Sequence, residues 1–396
     1  MHRRAAPCDL TIYKMILTQC AVCATELGLS LGKKCGRCST RYCGAECQKQ
    51  HWEQGGHDKL CKLIKKSGGA EQYNANKKYT EAVAVAAEAC AEDTKGQMCY
   101  ICTQALHWKT KEGLVRGCSC RGTAGFAHVS CLAEQAKILV AEAKENNLDV
   151  GPRWARWNIC SLCEKQYHGV VRCALSWACW KTYVGRPDAD LPSCAMGVLG
   201  CGLSAAGHHT DALSVKEADL SMRRRLGDSD SNILVVQGNL AISYRRLGRL
   251  EEALRLREDV YAGTLKLYGE EGEDTILEAL NYSALLLNLK RFQEAKSLMC
   301  KTIPVARRVL GESHELMLRM RCNYAQTLYW DPGATLADLR EAATTLEDAT
   351  RTARRVLGST HPVAAQIEVG LRESRAVAAA REAQSPGDLC EALGAL

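Results

Sequence analysis

The stretch RGCSCRGTAGFAHVSCL, from Arg116 to Leu132, places three cysteines and one histidine within seventeen residues. Thiolates and imidazoles are the ligands by which proteins hold zinc in tetrahedral sites. A C-x-x-C pair lies on each side of the stretch, so the full set contains eight candidate ligands: Cys99, Cys102, Cys118, Cys120, His128, Cys131, Cys160 and Cys163. Four pairs of such ligands predict two zinc ions.

A similar set of candidate ligands comes earlier in the chain, within residues 20–61. Its cysteines are Cys20, Cys23, Cys35, Cys38, Cys43, Cys47 and Cys61. His51 and His57 compete for the eighth position, and His57 is favoured because a helical His-x-x-x-Cys places it on the same face as Cys61. A segment this short buries too little apolar surface to fold unaided. We therefore expect zinc to replace a hydrophobic core here and across the N-terminal portion of the chain.

The distribution of cysteine indicates the redox environment. The chain has 23 cysteines, and 16 of them lie at or before Cys163. Disulfide scaffolds are usually short secreted chains, whereas paired C-x-x-C motifs without an apolar leader segment indicate zinc in a reducing compartment. No run of the sequence approaches eighteen apolar residues, so a membrane span is not expected. We expect an intracellular protein, cytoplasmic or nuclear, with four zinc ions as cofactors.

The formal net charge of +7 invites a nucleic-acid function, but this value treats every cysteine as neutral. A module of seven thiolates around two divalent ions has a net charge of about −3. Two such modules bring the metallated chain to about +1. Charge therefore gives a nucleic-acid partner little support.

The order of ligands over residues 20–61 resembles the MYND-type zinc finger: C-x-x-C, C-x-x-C, Cys-x-x-x-Cys-Gln, Trp and His-x-x-x-Cys. The resemblance implies an interleaved, cross-brace pairing. One zinc ion would be held by Cys20, Cys23, Cys43 and Cys47. The other would be held by Cys35, Cys38, His57 and Cys61. MYND fingers bind short peptides of partner proteins, which implies a peptide site near Gln48 and Trp52, although Trp52 serves equally well as a hydrophobic prop.

The set over residues 99–163 is similar to the RING-CH (RING-variant) zinc finger, because only Ser119 separates its third and fourth ligands. The cross-brace of that family implies two sites. One zinc ion would be held by Cys99, Cys102, His128 and Cys131. The other would be held by Cys118, Cys120, Cys160 and Cys163. Such fingers act mostly in ubiquitin ligases, where they hold a ubiquitin-conjugating enzyme and its thioester-linked ubiquitin in a reactive orientation.

The resemblance implies a ubiquitin-protein ligase, or a subunit of one, with an apolar contact to the conjugating enzyme. Ile101, inside the first ligand pair, and Trp154 or Trp157, before the seventh ligand, are the candidates. No catalytic residue is expected, because the finger only positions its partners. Glu164 and Lys165 follow the last ligand, where related RING fingers favour proline and a cation. This departure supports the alternative of a non-enzymatic scaffold for protein–protein interactions.

Four similar phrases recur in the second half of the chain: RRRLGDSDSN, LKLYGEEGED, RRVLGESHEL and RRVLGSTHPV. Their glycines recur at intervals of 42, 42 and 47 residues: Gly227, Gly269, Gly311 and Gly358. A fixed period of this length indicates a helical solenoid, in which each glycine ends the second helix of a repeat. Small residues let neighbouring helices approach closely, and each repeat offers one alanine: Ala212, Ala253, Ala295 and Ala342.

The repeats resemble tetratricopeptide (TPR) repeats of the kinesin-light-chain-like type, which implies a concave surface for peptides or proteins. The predicted fold class is therefore small zinc-stabilised cross-brace modules followed by an all-α helical repeat solenoid. The expected order is an N-terminal extension (1–19), a MYND-type finger (20–61), a linker helix (62–98), a RING-CH-type finger (99–163), a connecting helix (164–193), tetratricopeptide-like repeats (194–380) and a loose tail (381–396).

Overall fold

The computed structural model of the chain describes residues 19–25, 27, 31–186, 190–359 and 361–383. These residues form two compact units, which divide between Asp228 and Ser229. The predicted N-terminal extension and C-terminal tail lie outside the described residues, apart from Gln19 and residues 381–383. Each unit contains hydrophobic clusters of its own.

The first strands and helices in the described part of the first unit belong to the MYND-like segment. Strands β1 (Lys33–Lys34) and β2 (Arg41–Tyr42) pair in antiparallel register. Helices α1 (Ala45–Glu53) and α2 (His57–Lys66) follow, separated by a tight turn. Gly56 makes this turn with a φ of 70°, in the left-handed region that glycine adopts at little cost. After the turn, the ring of His57 at the start of α2 lies 6.1 Å from the ring of Tyr42 on β2.

A framework of helices makes up the rest of the first unit. Its long members are α3 (Ala70–Ala89), α4 (Val129–Glu145), α6 (Gly169–Tyr183), α7 (Asp190–Ala205) and α8 (His209–Leu226). The short helix α5 (Val150–Trp154) and a 3-10 turn (Ala155–Trp157) connect α4 to α6. Helix α6 contacts α3, α4 and α7, and α7 contacts α8. Every residue of α6 from Cys173 to Trp180 is buried, which is the pattern of a helix packed among others.

The second set of metal-ligand candidates lies inside this framework. Cys118 and Cys160 belong to the same buried cluster as Leu175 of α6 and helices α3, α4, α7 and α8. Gly117 approaches α6 so closely that a Cβ there would lie 2.4 Å from the Cβ of Val171. The expectation that zinc replaces a hydrophobic core is therefore wrong for residues 99–163, because α6 supplies that core.

The expectation that zinc replaces a hydrophobic core fits residues 20–61. The buried cluster there is small, and cysteines make up half of it, together with Leu27, Tyr42, Ile64 and Ala70. Four apolar side chains cannot offset the conformational entropy of a segment of this length. Bound metal must supply most of the stability of this part of the chain.

The second unit consists of seven helices in its described part: α9 (Asp230–Arg246), α10 (Leu250–Tyr268), α11 (Glu273–Asn288), α12 (Phe292–Leu310), α13 (Glu315–Tyr329), α14 (Leu336–Leu357) and α15 (Pro362–Ala383). Consecutive helices pack against each other. The first helices of successive repeats also meet, because α11 contacts α13 and α13 contacts α15. Each repeat therefore contacts its neighbours along one direction, and the predicted helical solenoid is confirmed.

The recurring glycines end the second helix of each repeat, as the sequence predicts. Helices α8, α10, α12 and α14 stop at the residue before the glycine, and each glycine has a positive φ: 68° at Gly227, 72° at Gly269, 79° at Gly311 and 87° at Gly358. The first of these helices, α8, belongs to the first unit together with α7, so the two units divide inside the range 194–380 that the sequence assigns to repeats.

The longer interval between the last two glycines has a local cause. The amide of Gly333 donates to the Asp331 carboxylate at 2.8 Å, which forms a turn between α13 and α14. Thr335 and Asp338 then form a capping box at the start of α14. The extra residues are thus used in a turn and a cap, and the packing of the helices continues beyond them.

Helix α14 of the second unit buries one face. On α14 the buried side chains follow helical spacing along a single stripe: Leu339, Ala342, Leu346, Ala349 and Ala353. The charged residues of α14 lie mainly on the opposite face, as expected of a helix packed on one side. Among the described residues, no helix combines the length and the apolar character that crossing a bilayer requires.

The alanines of the repeats lie where helices approach closely. Ala253, on α10, is fully buried, whereas Ala262 on the same helix is exposed. Ala253→Leu should lower the free energy of unfolding by about 1–3 kcal/mol, because the added side chain has no space in the helix interface. Urea unfolding followed by circular dichroism measures this change.

The matched control is Ala262→Leu, which adds the same side chain to the solvent face of α10. Its effect should stay within about 0.5 kcal/mol. Equal effects of the two substitutions would contradict the packing described here.

Candidate metal centres

The sixteen candidate ligands come together in four groups, in each of which the ligand atoms lie within 4.8 Å of one another. In each finger the first pair of ligands joins the third pair, and the second pair joins the fourth. The groups are Cys20, Cys23, Cys43 and Cys47; Cys35, Cys38, His57 and Cys61; Cys99, Cys102, His128 and Cys131; and Cys118, Cys120, Cys160 and Cys163. This interleaving is the cross-brace that both resemblances imply.

The spacing of the sulfurs fits a metal ion and excludes disulfides. Sulfurs at the corners of a tetrahedron around zinc lie about 3.8 Å apart, whereas a disulfide joins sulfurs at about 2.05 Å. All described cysteines are free of disulfides. The sulfur–sulfur distances are 3.5 Å for Cys23–Cys43, 3.4 Å for Cys43–Cys47, 3.9 Å for Cys35–Cys61 and 3.8 Å for Cys120–Cys160. The four groups are therefore compatible with zinc.

One backbone turn, which we call the knuckle, carries every C-x-x-C pair. The amide of the first cysteine donates to the carbonyl five residues later, and the amide four residues later donates back to the carbonyl of that cysteine, at 2.8–3.1 Å. The residue four positions after the first cysteine has a positive φ: 56° at Ala24, 61° at Ser39, 58° at Thr103 and 56° at Glu164. The knuckle points both sulfurs inward and leaves the two middle residues at its tip.

Hydrogen bonds in the knuckles also favour the thiolate form of one cysteine in each finger. The amides of Ile101 and Cys102 donate to Sγ of Cys99 at 3.4 and 3.5 Å. Burial raises the pKa of Cys99, but the backbone hydrogen bonds lower it by more, so its pKa lies below the usual value. In the other finger, the hydrogen bond with Thr25 lowers the pKa of Cys23 to about 6. The thiolate is the form that binds zinc.

The structure distinguishes the two histidines that compete in the first finger. Nε2 of His57 lies 3.4 Å from Sγ of Cys38, and His57 stands one helical turn before Cys61 on α2. Nδ1 of His51 instead lies 3.0 Å from the hydroxyl of Tyr42. Burial, reinforced by the nearby His57, lowers the pKa of His51 to about 4. His51 is thus a neutral, hydrogen-bonded side chain behind the site, and the geometry favours His57 as the eighth ligand.

His128 faces its site through the other ring nitrogen. Its Nδ1 lies 3.3 Å from Sγ of Cys102 and 3.6 Å from Sγ of Cys131. Its Nε2 lies 3.4 Å from the carbonyl of Ala105, which can accept the remaining ring proton. Such an outer hydrogen bond fixes the tautomer and leaves the lone pair of Nδ1 for a metal ion. His128 directly precedes α4, so Cys131 in its first turn lies on the same side.

The residue after the last ligand explains one departure noted in the sequence. Glu164 has a φ of 56°, which proline cannot adopt because its ring fixes φ near −65°. Its carboxylate accepts a hydrogen bond from Arg156 at 3.0 Å. A proline at this position would therefore break the knuckle of Cys160 and Cys163.

The candidate contacts to a conjugating enzyme differ in exposure. Ile101 is 37% exposed at the tip of its knuckle. Trp154 is half-buried, with its ring 5.1 Å from that of Tyr183. Trp157 is 0% exposed, so its expected contact with a conjugating enzyme does not fit this structure. The residue that the sequence reasoning missed is Leu162, 49% exposed at the tip of the last knuckle, and its position inside CSLC was the available signal.

The aromatic residue of the first finger is partly accessible. Trp52 is 45% exposed, and its ring lies 5.8 Å from the ring of His57. Gln48 is half-buried one turn earlier on α1. Trp52 thus covers the ligand histidine with one part of its ring and presents the rest to solvent, which accommodates both roles expected from the sequence.

Comparison with protein-family models gives three matches. Residues 20–61 match the MYND finger, residues 99–163 match the RING-variant domain, and residues 234–274 match a tetratricopeptide repeat. The resemblances stated from ligand spacing and from the repeats are thereby confirmed. No curated protein matches the chain with significant similarity.

Several solved structures are similar to the chain. Two belong to a Podosopora anserina putative kinesin light chain with nearly identical TPR-like repeats, one of them a form with a single substitution; they are 18% identical and cover 58% of this chain and 97% of their own. Their TM-scores are 0.41 for the substituted form and 0.40 for the other. BtubC from P. vanneervenii is 13% identical, covers 65% of this chain and 92% of its own, and has a TM-score of 0.36.

These findings establish the general character of the chain. Two segments match zinc fingers, four tetrads of Cys and His side chains are compatible with zinc, and a helical repeat follows. Fingers and repeats of these kinds bind other proteins. The chain is a zinc-binding protein with modules for protein–protein interaction.

The metal content is the first quantity to measure. Elemental analysis of the folded protein should give about four zinc ions per chain. On titration with a chelator, residues 20–61 should lose protection from hydrogen exchange first, because metal supplies most of their stability. Helix α6 should stay protected, because apolar neighbours surround it. Two or fewer zinc ions per chain, or loss of protection in α6 together with residues 20–61, would contradict this description.

Gly122 and Gly125 lie in the loop after Cys120, and substitutions there test the geometry of the tetrad that contains Cys120. A Cβ on Gly125 would lie 2.6 Å from the Cβ and 2.9 Å from the Sγ of Cys120. Gly122 also has a positive φ, but a Cβ there would meet nothing within 4 Å. Gly125→Ala should therefore displace Cys120 and lower the zinc content from about four to about three per chain.

Gly122→Ala is the matched control, since it introduces only backbone strain of about 1 kcal/mol. It should keep its full zinc content. An unchanged zinc content in Gly125→Ala would show that the loop does not hold the ligands as described.

Proposed function

We propose that the chain is a ubiquitin-protein ligase, or the ligase subunit of a complex, that recruits a ubiquitin-conjugating enzyme through its RING-variant segment. The proposal assigns one zinc ion to each of the four tetrads. Zinc would supply structural cross-links there, and all four positions of each tetrahedron would be filled by protein ligands. The MYND finger and the repeats would bind partner or substrate proteins.

The observation that carries the proposal is an apolar surface made by two knuckle tips. Ile101 and Leu162 are both exposed at such tips. The hydroxyl of Tyr100, on the first tip, lies 3.1 Å from that of Ser161, on the last tip. This hydrogen bond joins the two knuckle tips that carry Ile101 and Leu162. A surface of this kind suits a partner that must dock in a fixed orientation.

Catalysis by such a surface is positioning. The conjugating enzyme carries ubiquitin as a thioester, and an amine of the substrate attacks that thioester. A finger accelerates the attack by holding the loaded enzyme in one orientation, which removes rotational freedom before the reaction. No side chain of this chain needs to take or give a proton in that step. The framework around α6 supports the role, because it holds the finger on packed helices.

The other modules would bring substrate within reach. Trp52 presents part of its ring to solvent on the first finger. Exposed aromatic rings with one fixed face are frequent anchors of peptide binding. The repeat helices of the second unit would add a second surface for partner proteins.

A non-enzymatic scaffold is the second candidate, and one observation favours it. The carboxylate of Glu164 pairs with Arg156 beside the last knuckle, so an ion pair stands where related fingers favour proline. A scaffold would capture partner proteins without transferring ubiquitin. The presence or absence of ubiquitin transfer distinguishes the ligase from the scaffold.

The test is autoubiquitination by the purified full-length chain with ubiquitin, activating enzyme, ATP and a panel of conjugating enzymes. Ubiquitin conjugates should form with at least one of them. Ile101→Ala and Leu162→Ala should each reduce the rate at least about tenfold, because each removes an apolar anchor at the centre of the contact.

Ile138→Ala is the matched control, since Ile138 is an exposed isoleucine on α4, outside the knuckles. It should retain the full rate. If no conjugating enzyme of the panel supports transfer, the scaffold function stands in place of the ligase.

A further inference from the structure

The RING-variant segment contains a fifth knuckle that has no cysteine. The amide of His107 donates to the carbonyl of Glu112 at 3.1 Å, and the amide of Lys111 donates back to the carbonyl of His107 at 2.9 Å. Lys111 has a φ of 60°. These are the same two hydrogen bonds and the same left-handed residue that define the four C-x-x-C knuckles.

Hydrogen bonds take the place of metal in this turn. Nδ1 of His107 accepts from the backbone amide of Thr110 at 3.2 Å and lies 2.8 Å from its hydroxyl. The Thr110 hydroxyl also donates to the carboxylate of Glu112 at 3.0 Å. His107 and Thr110 thus stand where the two cysteines of a C-x-x-C pair would stand. No tetrad among the described residues includes them, so this knuckle closes without a metal ion.

The turn presents Trp108 and Lys109 at its tip, as the other knuckles present their middle residues. Trp108 is 68% exposed. The tip borders a cleft of about 800 Å³ between the fifth knuckle and helices α3, α4 and α6. A cleft of this volume lies within the range of sites that bind small ligands and peptide segments.

The cleft has an excess of positive charge. Lys109, Lys181 and Arg186 line it, and none of the three forms an ion pair with a described residue. The fourth lining cation, Lys137, is paired with the lining carboxylate of Glu134 at 3.2 Å. The cleft therefore has three unpaired cations, and its walls also offer aromatic surface.

The position of Lys181 indicates that this charge is built into the cleft. Its ammonium lies 4.1 Å from the ring centre of Tyr79, whose hydroxyl lies 2.8 Å from that of Ser130. Burial lowers the pKa of Lys181, Glu112 raises it, and the like charge of Lys109 lowers it further. An anion in the cleft would relieve both the burial and the repulsion of these cations.

We propose that this cleft binds an acidic peptide segment of a partner protein, with Asp or Glu side chains at Lys109, Lys181 and Arg186 and an apolar side chain on Trp108. The exposed indole offers a flat apolar surface next to the cations, which suits a peptide that alternates acidic and apolar residues. This site is separate from the tips of Ile101 and Leu162. It does not depend on ubiquitin transfer.

The experiment uses the full-length chain and two fluorescent eight-residue peptides. One alternates Asp and Leu, and the other has Asn in place of each Asp. Fluorescence anisotropy at low salt should show binding of the Asp peptide only, and the affinity should fall as ionic strength rises. Lys109→Glu and Lys181→Glu should each weaken binding at least about tenfold, because each replaces an attraction by a repulsion.

Lys62→Glu is the matched control, because it makes the same charge reversal at an exposed position of α2 outside the cleft. It should bind the Asp peptide like the unchanged protein. Zinc content and circular dichroism verify that each variant is folded, and Lys109→Glu lies on an exposed tip where misfolding is least expected.

Any one of three results would overturn the proposal: failure of the Asp peptide to bind at low salt, equal binding of the Asn peptide, or unchanged binding by both charge-reversal variants of the cleft. Binding of phosphatidylserine vesicles in the absence of peptide binding would also overturn it, since it would assign the cations to a lipid surface. Because no conjugating enzyme is present, each of these outcomes leaves the ubiquitin-ligase proposal untouched.

Discussion

A tetrahedral ion requires four ligand atoms to converge on one point, and this requirement governs the first unit of the chain. Thiolates repel one another, so they gather only where metal, buried hydrogen bonds or both offset that repulsion. The chain meets the requirement with one local device. Each knuckle aims two sulfurs inward, and its left-handed residue closes the turn. In the knuckles of Cys99 and Cys160, backbone amides also donate to the sulfur of the first cysteine. The knuckles then leave their middle residues outside, where they are available for recognition.

The two fingers meet the same constraint in different surroundings. In residues 20–61 the ligands make up half of a small buried cluster, and four other side chains complete it. In residues 99–163 the ligands are embedded among α3, α4, α6, α7 and α8. Metal is therefore the main source of order in the first finger. In the second it fixes the loops of a segment whose hydrophobic core exists independently of it, which is the rigid support that a positioning surface needs.

The fifth knuckle shows that the turn itself, and not the metal, defines the geometry. His107 and Thr110 reproduce it with a hydrogen bond from the Thr110 amide to Nδ1 of His107, and the tip again presents exposed residues. The histidines show the same principle at the ligand level. His57 faces its site with Nε2 from the first turn of a helix, whereas His128 uses Nδ1 from the residue before a helix. In each case the backbone decides which ring nitrogen faces the cysteines.

The sequence by itself determined the four ligand pairs of each finger, and the family resemblances implied their cross-brace pairing. It also determined the period of the repeats and the ends of their second helices. These features depend on residues a few positions apart, and local spacing records them directly. The sequence favoured His57 over His51, but only the tertiary structure placed His51 against the Tyr42 hydroxyl. The tertiary structure alone also buried Trp157, exposed Leu162 and formed the cleft beside His107. Each of these outcomes depends on which distant segments pack together, and above all on α6, which passes behind the second finger and determines which side chains remain at the surface. Burial is a property of the whole packed unit, so no short stretch of sequence contains it.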